Sequence, residues 1–319
     1  MSGVAVVILA AGMGSRMKSA LPKTLHQVAG KPLLAHVLRA AQQLDPERVI
    51  VVIGHGGQQV TEAMRGQNIT FVQQCEQLGT GHALLQTEDA LAGYAGDVFV
   101  LNGDGPLIRG ETLQELLAFH RAQHAGMTIA TSHVPNPTGL GRIVRGADGT
   151  VTSIVEEKDA SEDERAIQEI NPGLYLFNRN MFARAQHLTN DNAAGEYYIT
   201  DLVAHYRAAG ESVGALVVPD ASELFGINDR AELARAEHIL QERYRAQWLA
   251  AGVTMIAPET VFLGPDVALA NDVVLEPGVI ISGSTTIGAE ATIGAYSVLV
   301  NTSVPPRARI LPHTLEIEP

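Results

Sequence analysis

The chain has a single cysteine, Cys75, in 319 residues, so no disulfide can close within it. That suits a reducing compartment. Basic residues are also scarce, 22 lysines and arginines against 35 acids, for a net charge of −13. This balance disfavours nonspecific binding to nucleic acid or to an anionic membrane. No apolar run approaches the roughly 20 residues of a membrane span. The apolar stretch at the start has no basic residues before it and is broken by Gly12, which makes it a poor signal peptide. The expectation is a cytoplasmic globular protein with neither nucleic acid nor membrane as partner. Its length suffices for two domains and a substantial core. If a protein of this charge handles phosphates, it must gather positive charge locally or recruit a metal.

Such a gathering stands at the beginning. The β-branched run Val4 to Ile8 leads into Leu9-Ala10-Ala11-Gly12-Met13-Gly14-Ser15-Arg16-Met17, and Pro22-Lys23 follows one short loop later. Gly12 and Gly14 admit positive φ and let a ligand approach the backbone, so successive N–H groups can turn inward around an anion. Arg16 and Lys23 add full charge where the loop opens. A dinucleotide fingerprint needs a third glycine and an acid about 20 residues on, and a Walker loop needs lysine directly after its last glycine. Neither condition is met. The plain alternative is a tight strand-to-helix turn. Two cations are not needed for turning, and they point to phosphate.

Apolar residues at Leu33, Leu34, Val37, Leu38 and Ala41 give Pro32 to Leu44 one helical face, and a buried strand follows over Val49 to Ile53. Gly54-His55-Gly56-Gly57 reads as a chain reversal, with a second nucleotide loop or a metal-binding histidine as alternatives. Strand, helix and strand in succession argue a right-handed parallel α/β sheet, whose ligands sit at the carboxyl ends of its strands. After a short strand, Ile69 to Val72, comes Gln74 to His82, QCEQLGTGH. It is a solvated loop or, because the Gln74 amide both donates and accepts, a match for the edge of uracil. The strand Val98 to Leu101 delivers Asp104 between Gly103 and Gly105. A carboxylate there is a turn residue or a ligand for Mg²⁺, which takes one or two protein oxygens plus substrate phosphates. Pro135 to Arg142 is rich in turns, the acids from Glu156 to Glu169 read as a solvated face, and Asn228 or Asp229 is placed to cap a helix. That amphipathic helix runs from Ala231 to Ala251, with Leu233, Ile239, Leu240, Tyr244 and Trp248 toward one face, and ends at Gly252.

Then the period changes to six. Val261, Val267, Val273 and Val279 lead a series continued by Thr285, Ala291 and Ser297, and each is followed two residues later by Leu263, Leu269, Leu275, Ile281, Ile287, Ile293 and Leu299. Seven hits at this spacing are the hexapeptide repeat of a left-handed parallel β-helix. At about three hexads per coil, Val261 to Ser303 makes little more than two coils, with Arg307 to Pro319 expected to cap the stack.

LAAGMGSRM with LPKTLH resembles the signature of the sugar-phosphate nucleotidyltransferases, and more narrowly that of the bacterial N-acetylglucosamine-1-phosphate uridyltransferase family. GDGPL matches the family's GDxPL, PNPTGLGR its PTGYGR, IVEEKD its VEHKDA, and INPG its INTG; GEYYITD and FGINDR also correspond. The resemblance implies a Rossmann-like nucleotidyltransferase domain with a mostly parallel sheet over residues 1–228, a linker helix over 229–252, and a short β-helix over 253–319. It implies transfer of UMP from UTP to N-acetylglucosamine 1-phosphate, giving UDP-N-acetylglucosamine and pyrophosphate. Another sugar phosphate, another NTP, or a binding module without catalysis are the alternatives. Arg16 and Lys23 are implied as catalytic. Leu9, Ala10, Ala11, Gly12, Lys23, Gln74, Gly79, Thr80, Asn102, Gly103, Asp104, Gly141, Glu156, Asn171 and Asn228 are implied to bind substrate, with Asp104 and Asn228 holding Mg²⁺. Asn102 stands where relatives often carry tyrosine or a small residue, Gly105 where something bulkier is usual, and Pro172 where the family has threonine. In the family a much longer β-helix trimerises and carries an acetyltransferase site. The resemblance covers only the beginning of that half, so no acetyl transfer is expected, and a homotrimer is a possible assembly.

Overall fold

The computed structural model describes residues 3–318. The chain divides into two compact units: residues up to Leu25 together with Leu33–Asn228, and His26–Pro32 together with the residues from Asp229 onward.

In the first unit the opening apolar run forms the strand Val4–Ala10, inside a ten-stranded sheet. Arg48–Ile53 and then Thr70–Gln73 lie on one side of it and Asp97–Asn102 on the other, all parallel. Chain order therefore reverses at Val4–Ala10, and a crevice opens at the carboxyl ends of the strands on either side. Both faces are covered, which is why these strands read as continuous apolar runs rather than alternating ones. Val4, Val6 and Ile8 pack with Leu34, Val37 and Leu38 of the helix Leu33–Gln42. Ala5 and Val7 face the other way, toward the cluster containing Leu84, Leu202 and Val203.

Beyond Asp97–Asn102 the sheet is mostly antiparallel. Tyr175–Phe177 pairs antiparallel with both Asp97–Asn102 and Met127–His133, and Glu169–Asn171, Gly141–Arg145 and Val151–Val155 continue in the same manner. The cause is local. Gly141–Arg145 and Val151–Val155 are joined through a turn closed by the Gly146 N–H on the Thr150 carbonyl at 2.8 Å, far too short a link for a parallel crossover. The Gly54–Gly57 segment reverses the chain into the helix Gly57–Ala63. No group of three or more His, Cys, Asp or Glu able to hold a metal exists among the described residues.

The second unit is a three-sided left-handed β-helix with the helix Arg230–Ala250 packed on it. Its parallel strands stack in columns of four, four and three between Thr254 and Ile317, which is more than the two coils expected. The reason lies in one residue. Strand partners are 18 apart early, Phe262 on Ile280 and Ile280 on Val298, but 17 apart later, Thr286 on Ser303 and Thr292 on Arg309. One coil is a residue shorter, so the spacing of six fails after Leu299 although Val304 and Ile310 still pack inward. Arg307 to Ile317 is therefore more coil and not merely a cap.

The helix Arg230–Ala250 is built into this unit rather than standing as a linker. Tyr244 and Trp248 pack on the β-helix core. Buried Gln241 accepts from the Leu263 N–H at 2.8 Å and donates to its carbonyl at 3.1 Å, completing the backbone pairing of the first coil. The short hairpin around Ala29 belongs here too: its N–H donates to Glu237 at 2.6 Å, and Lys31 pairs with Asp266 at 2.8 Å. No helix among the described residues is long and apolar enough to cross a membrane.

Candidate active site

The crevice is a cleft of about 310 Å³ at the ends of Val4–Ala10 and Asp97–Asn102. On its floor the Lys23 ammonium forms an ion pair with Asp104 and donates to Asn228 Oδ1 at 3.1 Å. These three residues come from distant parts of the chain, and small residues let them meet. Gly103 continues the sheet by donating to the Leu9 carbonyl at 2.9 Å, where an added Cβ would stand 3.2 Å from the Ala10 Cβ. At Gly226 a Cβ would fall 2.9 Å from Asp104 Oδ1. The Asn228 amide nitrogen donates to the Gly226 carbonyl at 3.3 Å, which leaves its oxygen for Lys23. Asp229, not Asn228, caps the following helix, accepting from the Glu232 N–H at 2.8 Å.

The glycine loop closes one end. Gly14 has φ +60°, and a Cβ there would lie 2.6 Å from the Lys23 Cβ, so glycine sets the place of the lysine as well as the turn. Gly12 does not have positive φ. Its contribution is space, since nothing lies within 4 Å of where a Cβ would be. Arg16 is exposed and makes no hydrogen bond or ion pair among the described residues. It is outside the lining of the cleft, whereas Leu9, Ala10, Ala11 and Gly12 line it.

Gln74, Gly79, Thr80 and Asn102 also line the cleft. Gln74 is only 3% exposed and spends its amide nitrogen on protein groups, the Gly79 carbonyl at 3.2 Å and His82 Nδ1 at 3.0 Å. The expected donor-and-acceptor edge is thus reduced to an acceptor. The loop carrying it is held by Gly195 to Asp201, a segment left out of the expected site. Tyr197 donates from its N–H to the Leu78 carbonyl and accepts from the Gly81 N–H, each at 2.8 Å, and Thr80 accepts from the Ile199 N–H at 3.1 Å. Met13, Thr24, Gln77 and Glu196 line the cleft as well without having been foreseen. The GEYYITD match was the available signal for Glu196, while Gln77 stands between two recognised positions.

Gly141, Glu156 and Asn171 form a second cluster outside that lining. A Cβ on Gly141 would touch the Asn171 Cβ at 3.3 Å and Glu156 Oε1 at 3.4 Å. Asn171 donates to the Tyr175 hydroxyl at 2.8 Å and accepts from the Gly173 N–H at 3.3 Å. Asn102 joins this cluster to the cleft by donating to the Pro172 carbonyl at 3.2 Å. Proline at 172 keeps the acceptor that this bond uses. Gly105 opens no clash, for a Cβ there would meet only the Asn102 and Phe225 carbonyl oxygens at 3.7 and 3.9 Å. Glu157, where the resembled motif has histidine, is a clamp: it accepts from the Gly139 N–H at 3.1 Å and from Arg142, itself 1% exposed, at 2.6 Å.

Negative charge is concentrated at this end. Burial, then the carboxylates of Asp159 and Asp201, push Glu156 above the usual carboxyl range. Burial and the same group of acids push the Tyr198 phenol up to about 12. The glycine loop carries the exposed cation Arg16, and this second cluster holds the half-buried carboxyl groups of Glu156 and Asp201.

This is the fold of a nucleotidyltransferase, and residues 6–209 match the family of MobA-like NTP transferase domains. Many curated relatives carry the name bifunctional protein GlmU. That of Thermus thermophilus is 49% identical over 97% of this chain and 68% of its own length. Those of Limosilactobacillus fermentum and Streptococcus suis are 48% and 46% identical over 82% and 84% of this chain, and 57% and 58% of their own lengths. The chain belongs to the GlmU family of NTP transferases, and it spans between about three-fifths and two-thirds of the length of these relatives.

A buried carboxyl with a raised pKa makes a stability prediction. Below the ordinary glutamate pKa of about 4.3 Glu156 is protonated whether folded or not and carries no penalty; above its folded pKa the fold must hold the anion. Glu156→Gln therefore raises the melting temperature at pH 7, and the gain vanishes toward pH 4. Thermal denaturation across that range checks it; a gain independent of pH would contradict the burial argument.

Proposed function

We propose that the chain transfers UMP from UTP to N-acetylglucosamine 1-phosphate, releasing pyrophosphate and giving UDP-N-acetylglucosamine. The observation that carries this reading is the Lys23 and Asp104 ion pair lining a cleft of about 310 Å³, with Asn228 accepting from the same ammonium. A phosphate oxygen of the sugar phosphate attacks the α-phosphorus as the bond to the β-phosphate oxygen breaks, and the pyrophosphate leaves with that electron pair. Such transfer depends on positioning and charge neutralisation.

The roles proposed are those that the family resemblance implies. The open backbone at Gly12 and the exposed Arg16 receive the β- and γ-phosphates, Lys23 neutralises charge growing on the α-phosphate, and Gln74 with Gly79 and Thr80 takes the base. Glu156, Asn171 and Gly141 take the sugar, with Asn102 and Gly103 between the two ends. Asp104 and Asn228 suit Mg²⁺, since both offer hard oxygens and both already converge on a cation, the Lys23 ammonium. When bound there, Mg²⁺ would supply further neutralisation of the phosphates.

The β-helix supports a homotrimer as the assembly. Phe262 and Ile280, 42% and 40% exposed, stack outward with Val298 in one column of parallel strands, an apolar face suited to a second copy. Acetyl transfer is not assigned to this chain; His313, the one histidine after Val253, lies stacked on Tyr296 with ring centroids 5.5 Å apart.

Pyrophosphate release measured with UTP and N-acetylglucosamine 1-phosphate, beside glucose 1-phosphate and other NTPs, tests the transfer. Strong preference for UTP with the acetylated sugar, dependent on Mg²⁺, is expected. Asp104→Ala is expected to lower kcat by about 10²–10³, the usual effect of removing one preorganised electrostatic group. Turnover with a different pair moves the specificity, and no turnover with any pair refutes the transfer. Light scattering should return the mass of three chains; the mass of one removes the trimer.

A further inference from the structure

We propose that His82 is a positioning residue for base selection: it holds the Gln74 amide in one of its two orientations, so that the cleft presents an acceptor and takes a pyrimidine with N–H at the facing edge. The inference rests on the nucleotidyl-transfer reading above and adds a residue to it.

Gln74 Nε2 lies 3.2 Å from the Gly79 carbonyl oxygen and 3.0 Å from His82 Nδ1. A carbonyl oxygen only accepts, so the amide nitrogen and not its oxygen belongs on that side. Its two hydrogens then meet two acceptors, provided that Nδ1 is bare. Rotating the amide by half a turn would lose both bonds and set its oxygen against two acceptors in a buried place. Gly79 cannot yield, because it is held at φ +107° with the Tyr197 carbonyl 2.6 Å from where a Cβ would be.

A bare Nδ1 requires the proton on Nε2, which faces the half-buried Gln86 side-chain amide at 3.2 Å. The Gln86 amide nitrogen also donates to the His82 carbonyl at 3.4 Å. The tautomer is therefore set from the Gln74 side, and half a turn of the Gln86 amide, giving up only that long bond, lets its oxygen accept the Nε2–H. The ring is kept in place by its position on the helix Thr80–Leu85 and by Tyr197, whose ring centroid is 6.5 Å away. Gln74 Oε1 is left to the cleft. It accepts from the N3–H of uracil, whereas cytosine brings an acceptor to the same point. A site whose buried polar group goes unpaired with the wrong ligand discriminates strongly against it.

The test compares kcat/KM for UTP and CTP, by pyrophosphate release with N-acetylglucosamine 1-phosphate, in the wild type, His82→Leu and His82→Asn. Leucine removes the acceptor and asparagine supplies an oxygen near the position of Nδ1. His82→Leu should lower the UTP-to-CTP ratio by at least about tenfold, mainly through KM, while His82→Asn keeps it within about threefold. An unchanged ratio in His82→Leu, or equal loss in both variants, overturns the proposal. Independently of turnover, ¹⁵N NMR of the ligand-free protein reads the His82 tautomer. A proton on Nε2 is expected, and one on Nδ1 refutes the lock. A wild type that turns over no nucleotide would instead sink the transfer reading, and the tautomer would still decide for or against the lock.

Discussion

Everything in the nucleotide unit is arranged around one lysine held between two oxygens. Lys23 pairs with Asp104 and donates to Asn228, and those three positions are about as far apart in sequence as the unit allows. A charged group placed where an apolar sheet ends is tolerated because it is paired and only partly buried. The parallel pairing of Val4–Ala10 with Asp97–Asn102 sets lysine loop and aspartate side by side, and small residues at 14, 103 and 226 remove the atoms that would keep them apart. The same oxygens that hold an ammonium are chemically able to hold a divalent cation, which is why one cluster suffices for both halves of the proposed chemistry.

Charge is unevenly distributed about the cleft. Exposed Arg16 and the open backbone at Gly12 belong to the glycine loop, the neutral amides of Gln74, Gln77 and Asn102 line the cleft, and the half-buried Glu156 stands in the cluster outside that lining. For a chain of net charge −13 this distribution matters more than the total. In the proposed reaction, positive charge stands where the polyphosphate would lie and the hydroxyl-rich sugar meets acceptors instead.

How much of this was legible in the sequence depends on the range of the contact. The first strand, the helix Leu33–Gln42 and the β-helix as far as Leu299 follow from local period and burial, and they fold as read. The antiparallel half of the sheet does not follow, because pairing partners there are set by short turns and not by pattern within a strand. The last coils were hidden by a single missing residue, which breaks a period without breaking a structure. Most of the cleft-lining positions were legible through motifs. The residues that hold them were not: Tyr197 works through its backbone, Glu157 replaces a motif residue, and His82 acts on another side chain.

Calorimetric titration of UTP into the chain, with and without Mg²⁺, tests the central claim most directly, namely that the Asp104 and Asn228 oxygens take a metal–nucleotide pair. The account predicts markedly tighter UTP binding with Mg²⁺ in the wild type and little dependence on Mg²⁺ in Asp104→Asn. Equal affinity for UTP with and without Mg²⁺ in the wild type would contradict it.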